Sequence, residues 1–147
     1  MTRDKPILAA ALLCERVLEE KDGVNSLIRC IDRIVVQAQG QQVPGQMPSI
    51  PVSVWAFISF KSGSARGRFS VTLVPRTPSG FKLAGPTIPL LFEGEDDRGI
   101  NIKLLVNFQA QDKGLYWFDV VLDDEVISRM PLRLVYQPMS LNQPPQL

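Results

Sequence analysis

The chain has 147 residues, a length typical of one domain with a self-sufficient hydrophobic core. Hydrophobic residues make up 45% and charged residues 21%, and 16 basic against 15 acidic residues leave a net charge of +1. This nearly even balance of charge argues against nucleic acid or an anionic membrane surface as the partner. The absence of histidine excludes Ser-His-Asp catalysis, Cys-His catalysis and His-ligated metal sites.

The segment Ile7–Leu18 carries two conflicting signals. Ala, Leu and Glu are abundant in it and its apolar residues fall on one helical stripe, which favours a helix. The next segment, Val24–Val36, is rich in Val and Ile and follows a tight-turn dipeptide at Asp22-Gly23, which is typical of a strand. A strand over Ile7–Leu18 would pair with it as a hairpin, so the residues alone leave helix and strand open.

Two cysteines are too few for a disulfide framework or a zinc site made of cysteines, and each lies in an apolar run, so we interpret both as buried thiols. In the hairpin, Cys14 and Cys30 come close to facing each other, which allows a disulfide without implying one. The start of the chain resembles a short signal peptide, but Leu13 stands where cleavage needs a small residue. No segment has the ~18 apolar residues of a membrane span. We therefore expect a soluble, cytoplasmic protein.

Alternation of apolar and polar residues, which places successive side chains on opposite faces of a strand, recurs through the rest of the chain. The runs that show it are Val52–Lys61, Arg68–Val74, Ile100–Phe108, Leu115–Leu122 and Val126–Tyr136. Turn residues stand between them, so we predict hairpins through Ser62–Gly67 and Asp123–Glu125. The pattern predicts an all-β protein.

Regions rich in proline and glycine interrupt the pattern. Gln37–Pro51 has little to bury and is interpreted as a long surface connection between the sheets, and Pro75–Pro89 suits an irregular sheet edge. Pro131 removes a donor from its strand, which predicts that Val126–Tyr136 is an edge strand or contains a bulge, and an open edge is a route to strand addition with a partner. Residues 138–147 are expected to form a Pro- and Gln-rich tail after a single domain of residues 1–137.

Short motifs in both halves of the chain carry a family resemblance. They are Ala11-Leu12-Leu13-Cys14, Asp22-Gly23 with Asn25-Ser26-Leu27-Ile28, Ile31-Asp32-Arg33-Ile34, Gly114 with Tyr116, Phe118, Val120 and Leu122-Asp123, and finally Ile127 with Pro131-Leu132. Together they resemble an uncharacterised family of small bacterial proteins, a domain of unknown function. The resemblance implies a β-sandwich whose N-terminal segment is a strand, and it supplies no catalytic residues. We therefore predict an antiparallel two-sheet β-sandwich, immunoglobulin-like in general architecture, with about seven to eight strands.

Several charged segments are candidate binding sites. The acidic run Glu93–Gly99 offers oxygens that suit calcium, but it lacks the ligand spacing of a calcium loop and includes Arg98, so we favour a solvated hairpin tip. A weak cation site becomes credible if this turn meets Asp123–Glu125. Lys61–Arg68 has the glycines, hydroxyls and charges of an anion-binding nest but leads into a strand, so we favour an ordinary loop. Asp32-Arg33 is interpreted as an ion pair at a sheet end or an interface.

Strand parity places both tryptophans on outward faces, where exposed tryptophans tend to mark interfaces. The candidate interface residues are Trp55, Trp117, Asp119, Arg129 and Arg133. The leading hypothesis is a non-enzymatic interaction module that binds a protein partner or self-associates. The alternative is a ligand-binding domain, for carbohydrate or calcium, that uses acidic and aromatic residues at the loop ends. We predict no catalytic residue, no cofactor, no metal site and no nucleic-acid or membrane partner.

Overall fold

The computed structural model describes residues 4–40 and 43–140, and its regular structure there consists of strands. No described residue belongs to a helix long and apolar enough to cross a membrane. The all-β prediction is confirmed, with nine strands in the described residues where about seven to eight were expected. The strands are β1 (Ile7–Glu19), β2 (Asn25–Cys30), β3 (Arg33–Gly40), β4 (Ile50–Lys61), β5 (Arg66–Arg76), β6 (Thr87–Glu93), β7 (Gly99–Ala110), β8 (Gly114–Leu122) and β9 (Glu125–Ser140).

The strands form two sheets whose inward side chains share one core. The four-stranded sheet has the order β2-β1-β4-β7, and the five-stranded sheet has the order β3-β9-β8-β5-β6 and curls into a half-barrel. Every pair is antiparallel except β3 and β9, which are parallel, so the prediction of a purely antiparallel arrangement is wrong at this edge. The largest fully buried side chains come from both sheets, among them Ile58, Phe60, Leu73, Phe118, Leu132 and Leu134.

The first segment is a strand despite its helix-forming residues. β1 lies in the interior of its sheet, where it pairs with β2 on one side and with β4 on the other. Helix propensities differ by less than about 1 kcal/mol per residue, so pairing on both edges outweighs them. The strand that the family resemblance implied is therefore confirmed, and so is the hairpin turn at Asp22-Gly23, where Gly23 has a φ of 86°.

The segment Val24–Val36 is not the single strand that its composition suggested. β2 ends at Cys30 and β3 begins at Arg33, because the chain crosses from one sheet to the other over Ile31 and Asp32. Ile31 N donates to Leu13 O at 2.9 Å in the first sheet, and Asp32 O accepts from Arg133 N at 2.8 Å in the second. Neighbouring residues thus bond to different sheets, which lets the chain cross without unpairing these backbone groups.

Some of the other predicted connections are confirmed and others are not. Asp123–Glu125 forms the predicted hairpin between β8 and β9, but Ser62–Gly67 does not form one, since it leads from β4 in the first sheet to β5 in the second. Gln37–Pro51 does connect the sheets, although β3 continues to Gly40 and β4 begins at Ile50. Pro75–Pro89 begins with the end of β5, which is an interior strand, and finishes in β6, so only its second part lies in the sheet edge expected there.

The C-terminal strand explains how the sheet accommodates its proline. β9 bulges at Ile127, and its first part has no β3 beside it, so the prediction of an edge or a bulge is confirmed. Backbone N–H groups two residues apart point to the same side, and Arg133 N points towards Asp32, so Pro131 N faces the region before β3 begins. Pro131 therefore removes no bond from the ladder. β9 continues to Ser140, three residues into the expected tail, and residues 141–147 lie outside the described residues.

A close backbone approach at the start of β7 gives a stability prediction. A Cβ at Gly99 would overlap Phe60 O of the paired strand, so Gly99→Ala must displace backbone and is expected to lower the free energy of unfolding by about 1–3 kcal/mol. Gly45→Ala is the matched control, because a Cβ there has nothing within 4 Å and the change in the unfolded chain is the same. Urea denaturation of both variants measures the difference, and equal stability would contradict the prediction.

Candidate functional site

The outer face of the five-stranded sheet brings together four of the five predicted interface residues. Trp117 and Asp119 point away from the core on β8, because the intervening Tyr116 and Phe118 are buried. The strand register then sets their neighbours in rows. Across β9, β8 and β5 the rows are Arg133–Leu115, Pro131–Trp117–Arg76 and Arg129–Asp119–Val74.

Asp119 anchors the centre of this face. Its side chain is only 5% exposed, and its Oδ1 accepts from Arg76 Nη2 at 3.1 Å and lies 3.4 Å from Arg129 Nε. A carboxylate this shielded from water needs charged partners, and two guanidinium groups supply them. Asp119 therefore holds the arginines in position, and its own carboxylate has little exposed surface.

Arg33 and Arg133 are directly opposed on the parallel strands β3 and β9, and both are exposed. In the described part of the chain neither of them forms an ion pair, so the predicted pair of Asp32 with Arg33 is absent. Like charges that face each other across a sheet are destabilising. In the described residues no carboxylate compensates this pair.

The surface around Trp117 is therefore positive although the whole chain is nearly neutral. Lys82 adds a further cation, because it forms a β-bridge with Arg76 and lies beside it. Trp117 itself is half-buried between Pro131 and Arg76. We call this surface the arginine face and define it by Trp117, Asp119 and five basic residues, Arg33, Arg76, Lys82, Arg129 and Arg133.

Sequence reasoning did not place two of the arginines on this face. Arg76 follows Val74 at the two-residue spacing of outward side chains, but the recognised run ended at Val74. Arg33 was assigned to the middle of a single long strand, where nothing placed it beside Arg133. Parity could have found Arg76, whereas Arg33 required knowledge of the sheet crossing.

Trp55 lies on the opposite side of the molecule. It occupies the outer face of the four-stranded sheet, between Leu105 on β7 and Cys14 on β1. Leu105 is 46% exposed and Leu12, in the next row, is 43% exposed, so Trp55 lies beside an exposed apolar patch. Because the outer faces of the two sheets point away from each other, one partner surface cannot contact both Trp55 and Trp117.

The two cysteines lie in the same row of this sheet as Trp55. Cys14 is buried and Cys30 is exposed, so the expectation of a buried thiol holds for Cys14 and is wrong for Cys30. Burial is the main reason that the pKa of the Cys14 thiol lies above its ordinary value, and the neighbouring Cys30 raises that pKa further.

Charged and polar groups in the turns that were considered as binding sites bond to other groups of the protein. Arg98 lies 3.3 Å from Glu95 in an ion pair, and Asp123 Oδ1 accepts from Ser70 N at 2.9 Å. In Lys61–Arg68, Ser62 N and Oγ both donate to Arg98 O at 2.7 Å. Across residues 4–40 and 43–140, no group of three or more acidic or cysteine residues is arranged to hold a metal ion.

Comparison with known proteins gives a family and no function. The model of a family of unknown function, DUF6941, matches residues 9–135, which include most or all of each of the strands β1 to β9. The predicted resemblance to an uncharacterised domain is thus confirmed. No curated protein matches the chain.

Proposed function

The chain belongs to DUF6941, and because that family has no assigned function we propose one from the geometry alone. We propose that the protein is a non-enzymatic module that binds an acidic segment of a partner protein through the arginine face. The observation that carries this proposal is the direct opposition of Arg33 and Arg133 without a carboxylate partner in the described residues.

An acidic partner suits this arrangement for an electrostatic reason. Two guanidinium groups on adjacent strands repel each other, and a carboxylate placed between them changes that repulsion into two attractions. Arginine also presents its donors as a planar fork that matches the two oxygens of Asp or Glu. Asp119 already acts as such a carboxylate for Arg76 and Arg129, since it holds both arginines beside Trp117 before any partner arrives.

Trp117 favours a protein over a simple anion. Tryptophan, tyrosine and arginine are enriched among the residues that dominate binding energy at protein interfaces, and such residues cluster near the interface centre. The net charge of +1 provides no wide field for duplex DNA or RNA. A second copy of the chain would bring another positive arginine face, so self-association through this face is disfavoured.

The alternative functions have less support. Calcium binding at the loop ends would compete with ion pairs such as Arg98 with Glu95. Carbohydrate binding by an aromatic platform would suit neighbouring tryptophans, whereas Trp55 and Trp117 lie on opposite sides. For the fold, we propose a β-sandwich of general immunoglobulin-like architecture, supported by the core shared between the sheets. Cytoplasmic location remains a prediction.

The proposed function can be tested with Trp117 as its own reporter. Trp55→Phe leaves Trp117 as the only tryptophan of the chain, and this variant is titrated with a glutamate-rich peptide at low salt. We expect a change in Trp117 fluorescence and an affinity that falls as NaCl rises. Trp117→Ala, followed by the anisotropy of a labelled peptide, should weaken binding by at least about tenfold.

A lysine-rich peptide of equal length and a single-stranded oligonucleotide of equal charge are the comparison ligands. The lysine peptide should not bind, because its charge has the sign of the arginine face. Absence of glutamate-peptide binding at low salt would refute the proposal. Tighter binding of the oligonucleotide would refute a protein partner and indicate nucleic acid instead.

A further inference from the structure

The only two cysteines of the chain are direct partners across the β1–β2 hairpin. Opposed residues of an antiparallel pair point to the same face, with Cβ atoms about 4.5–5.5 Å apart. A disulfide needs Cβ atoms about 3.5–4.5 Å apart, so a shift of roughly 1 Å joins the two sulfurs. Both thiols are free in the structure, and Ile31 N donates to Leu13 O at 2.9 Å immediately beside the pair, which holds the strands together there.

The two thiols differ in accessibility. Cys30 is exposed on β2, which is an edge strand, whereas Cys14 has no exposed surface and lies between Cys30 and Trp55. The raised pKa of the Cys14 thiol further reduces its reactivity towards reagents in solution. A solvent-accessible thiol next to a second cysteine is the arrangement of a peroxide-reactive cysteine and its resolving cysteine.

We propose that Cys14 and Cys30 form a reversible dithiol–disulfide site whose oxidant is a peroxide. The Cys30 thiolate attacks one peroxide oxygen, the O–O bond breaks, and the leaving hydroxide takes up a proton to become water. Cys14 then loses its proton and attacks the sulfenic sulfur of Cys30, so that the S–O bond breaks and a second water leaves. Two thiols lose two electrons in total, and the peroxide gains them. A dithiol reductant reverses the reaction by exchange.

The cross-link should have a measurable effect on stability. It closes the loop formed by residues 15–29, which connects the two halves of the hairpin. For a loop of this length, restriction of the unfolded chain corresponds to a rise in melting temperature of about 5–10 °C for a protein of this size. The site lies on the sheet opposite the arginine face, so the inference stands independently of the proposed function.

To test this, the full chain is treated with hydrogen peroxide, and its intact mass and free thiols are then measured. A peptide map of the unreduced protein locates any disulfide. We expect a mass lower by two hydrogens, no free thiol, and a peptide that joins Cys14 to Cys30. Dithiothreitol should restore both thiols and the original melting temperature. Cys30→Ser, an exposed substitution, should abolish the mass change and the rise in melting temperature.

Three outcomes of the peroxide treatment would overturn the inference. They are two intact thiols after treatment, a covalent dimer through Cys30 as the sole disulfide product, and oxidation of Cys30 to sulfinic acid with Cys14 still reduced. In Cys14→Ala, Cys30 should instead accumulate as sulfenic acid that reacts with dimedone. A wild-type protein that gives the same dimedone adduct in the same amount would show that Cys14 does not resolve it.

Discussion

Replacement of both Arg33 and Arg133 by glutamate should weaken binding of a glutamate-rich peptide by about 100-fold or more. Each charged hydrogen bond to a carboxylate contributes about 1.5 kcal/mol or more, so loss of two accounts for that factor before repulsion is added. Both residues are exposed and belong to no ion pair in the described residues, so the fold should tolerate the changes. The measurement is the anisotropy of a labelled peptide at low salt.

The matched control is Arg16→Glu with Lys61→Glu. Both residues are exposed on the four-stranded sheet, and the pair changes the net charge by the same amount. For this comparison both double variants are also measured at physiological ionic strength, where the control should retain affinity within about threefold because charges beyond ~8 Å are largely screened. Equal loss of binding in the two double variants would mean that total charge, and not the arginine face, attracts the peptide.

The single reversals also distinguish a charge effect from misfolding. Arg33→Glu or Arg133→Glu alone places opposite charges across β3 and β9, and should raise the free energy of unfolding by about 0.5 kcal/mol. The double variant again opposes like charges, so it should return to the stability of the wild type. Single variants that are less stable than the wild type would contradict the opposition of these residues.

Asp119→Ala should lower the free energy of unfolding by about 2–3 kcal/mol. Loss of one partner from a fully buried pair costs about 3–5 kcal/mol, and the value here is smaller because Arg129 keeps half of its surface in water. Arg76 is the more shielded arginine, with 24% of its side chain exposed, and the change leaves its charge without a carboxylate. Urea denaturation with a common m-value measures the loss.

Asp124→Ala is the control, because that carboxylate is exposed at the β8–β9 turn and should change stability by less than about 0.5 kcal/mol. In a double-mutant cycle, Arg76→Ala should reduce the cost of Asp119→Ala, since the stranded cation is then absent. If Asp119→Ala is no more costly than the control, Asp119 does not anchor the face.

Strand β8 shows how much of the candidate site can be predicted from local pattern. The alternation of Tyr116, Trp117, Phe118 and Asp119 correctly separated buried from outward side chains, and it grouped Trp117 with Asp119. Parity could not reveal that Asp119 is shielded, because the shielding comes from Arg76 and Arg129 on other strands. The same limit explains why Trp55 was grouped with Trp117, although they belong to different sheets.

The N-terminal third shows how far the fold can be predicted from local sequence. Helix propensity and family resemblance disagreed over Ile7–Leu18, and pairing with β2 and β4 decided in favour of the strand. The crossing at Ile31 and Asp32 has no breaker residue such as Gly or Pro, so composition alone joined β2 and β3 into one strand. The crossing is marked by two hydrogen bonds, one from Ile31 N to Leu13 O and one from Arg133 N to Asp32 O. Arg133 lies about a hundred residues from Asp32 in the sequence, so local pattern cannot reveal this contact.

Composition and local pattern are enough to establish the all-β class, the faces of the later strands and the absence of histidine chemistry. These follow from composition and from a two-residue alternation, which are properties of the chain before it folds. Strand pairing is needed to establish that Arg33 opposes Arg133, that Cys14 opposes Cys30 and that the tryptophans lie on opposite sides. Neighbours in a sheet are chosen by the register and order of strands, and these depend on contacts between distant parts of the chain.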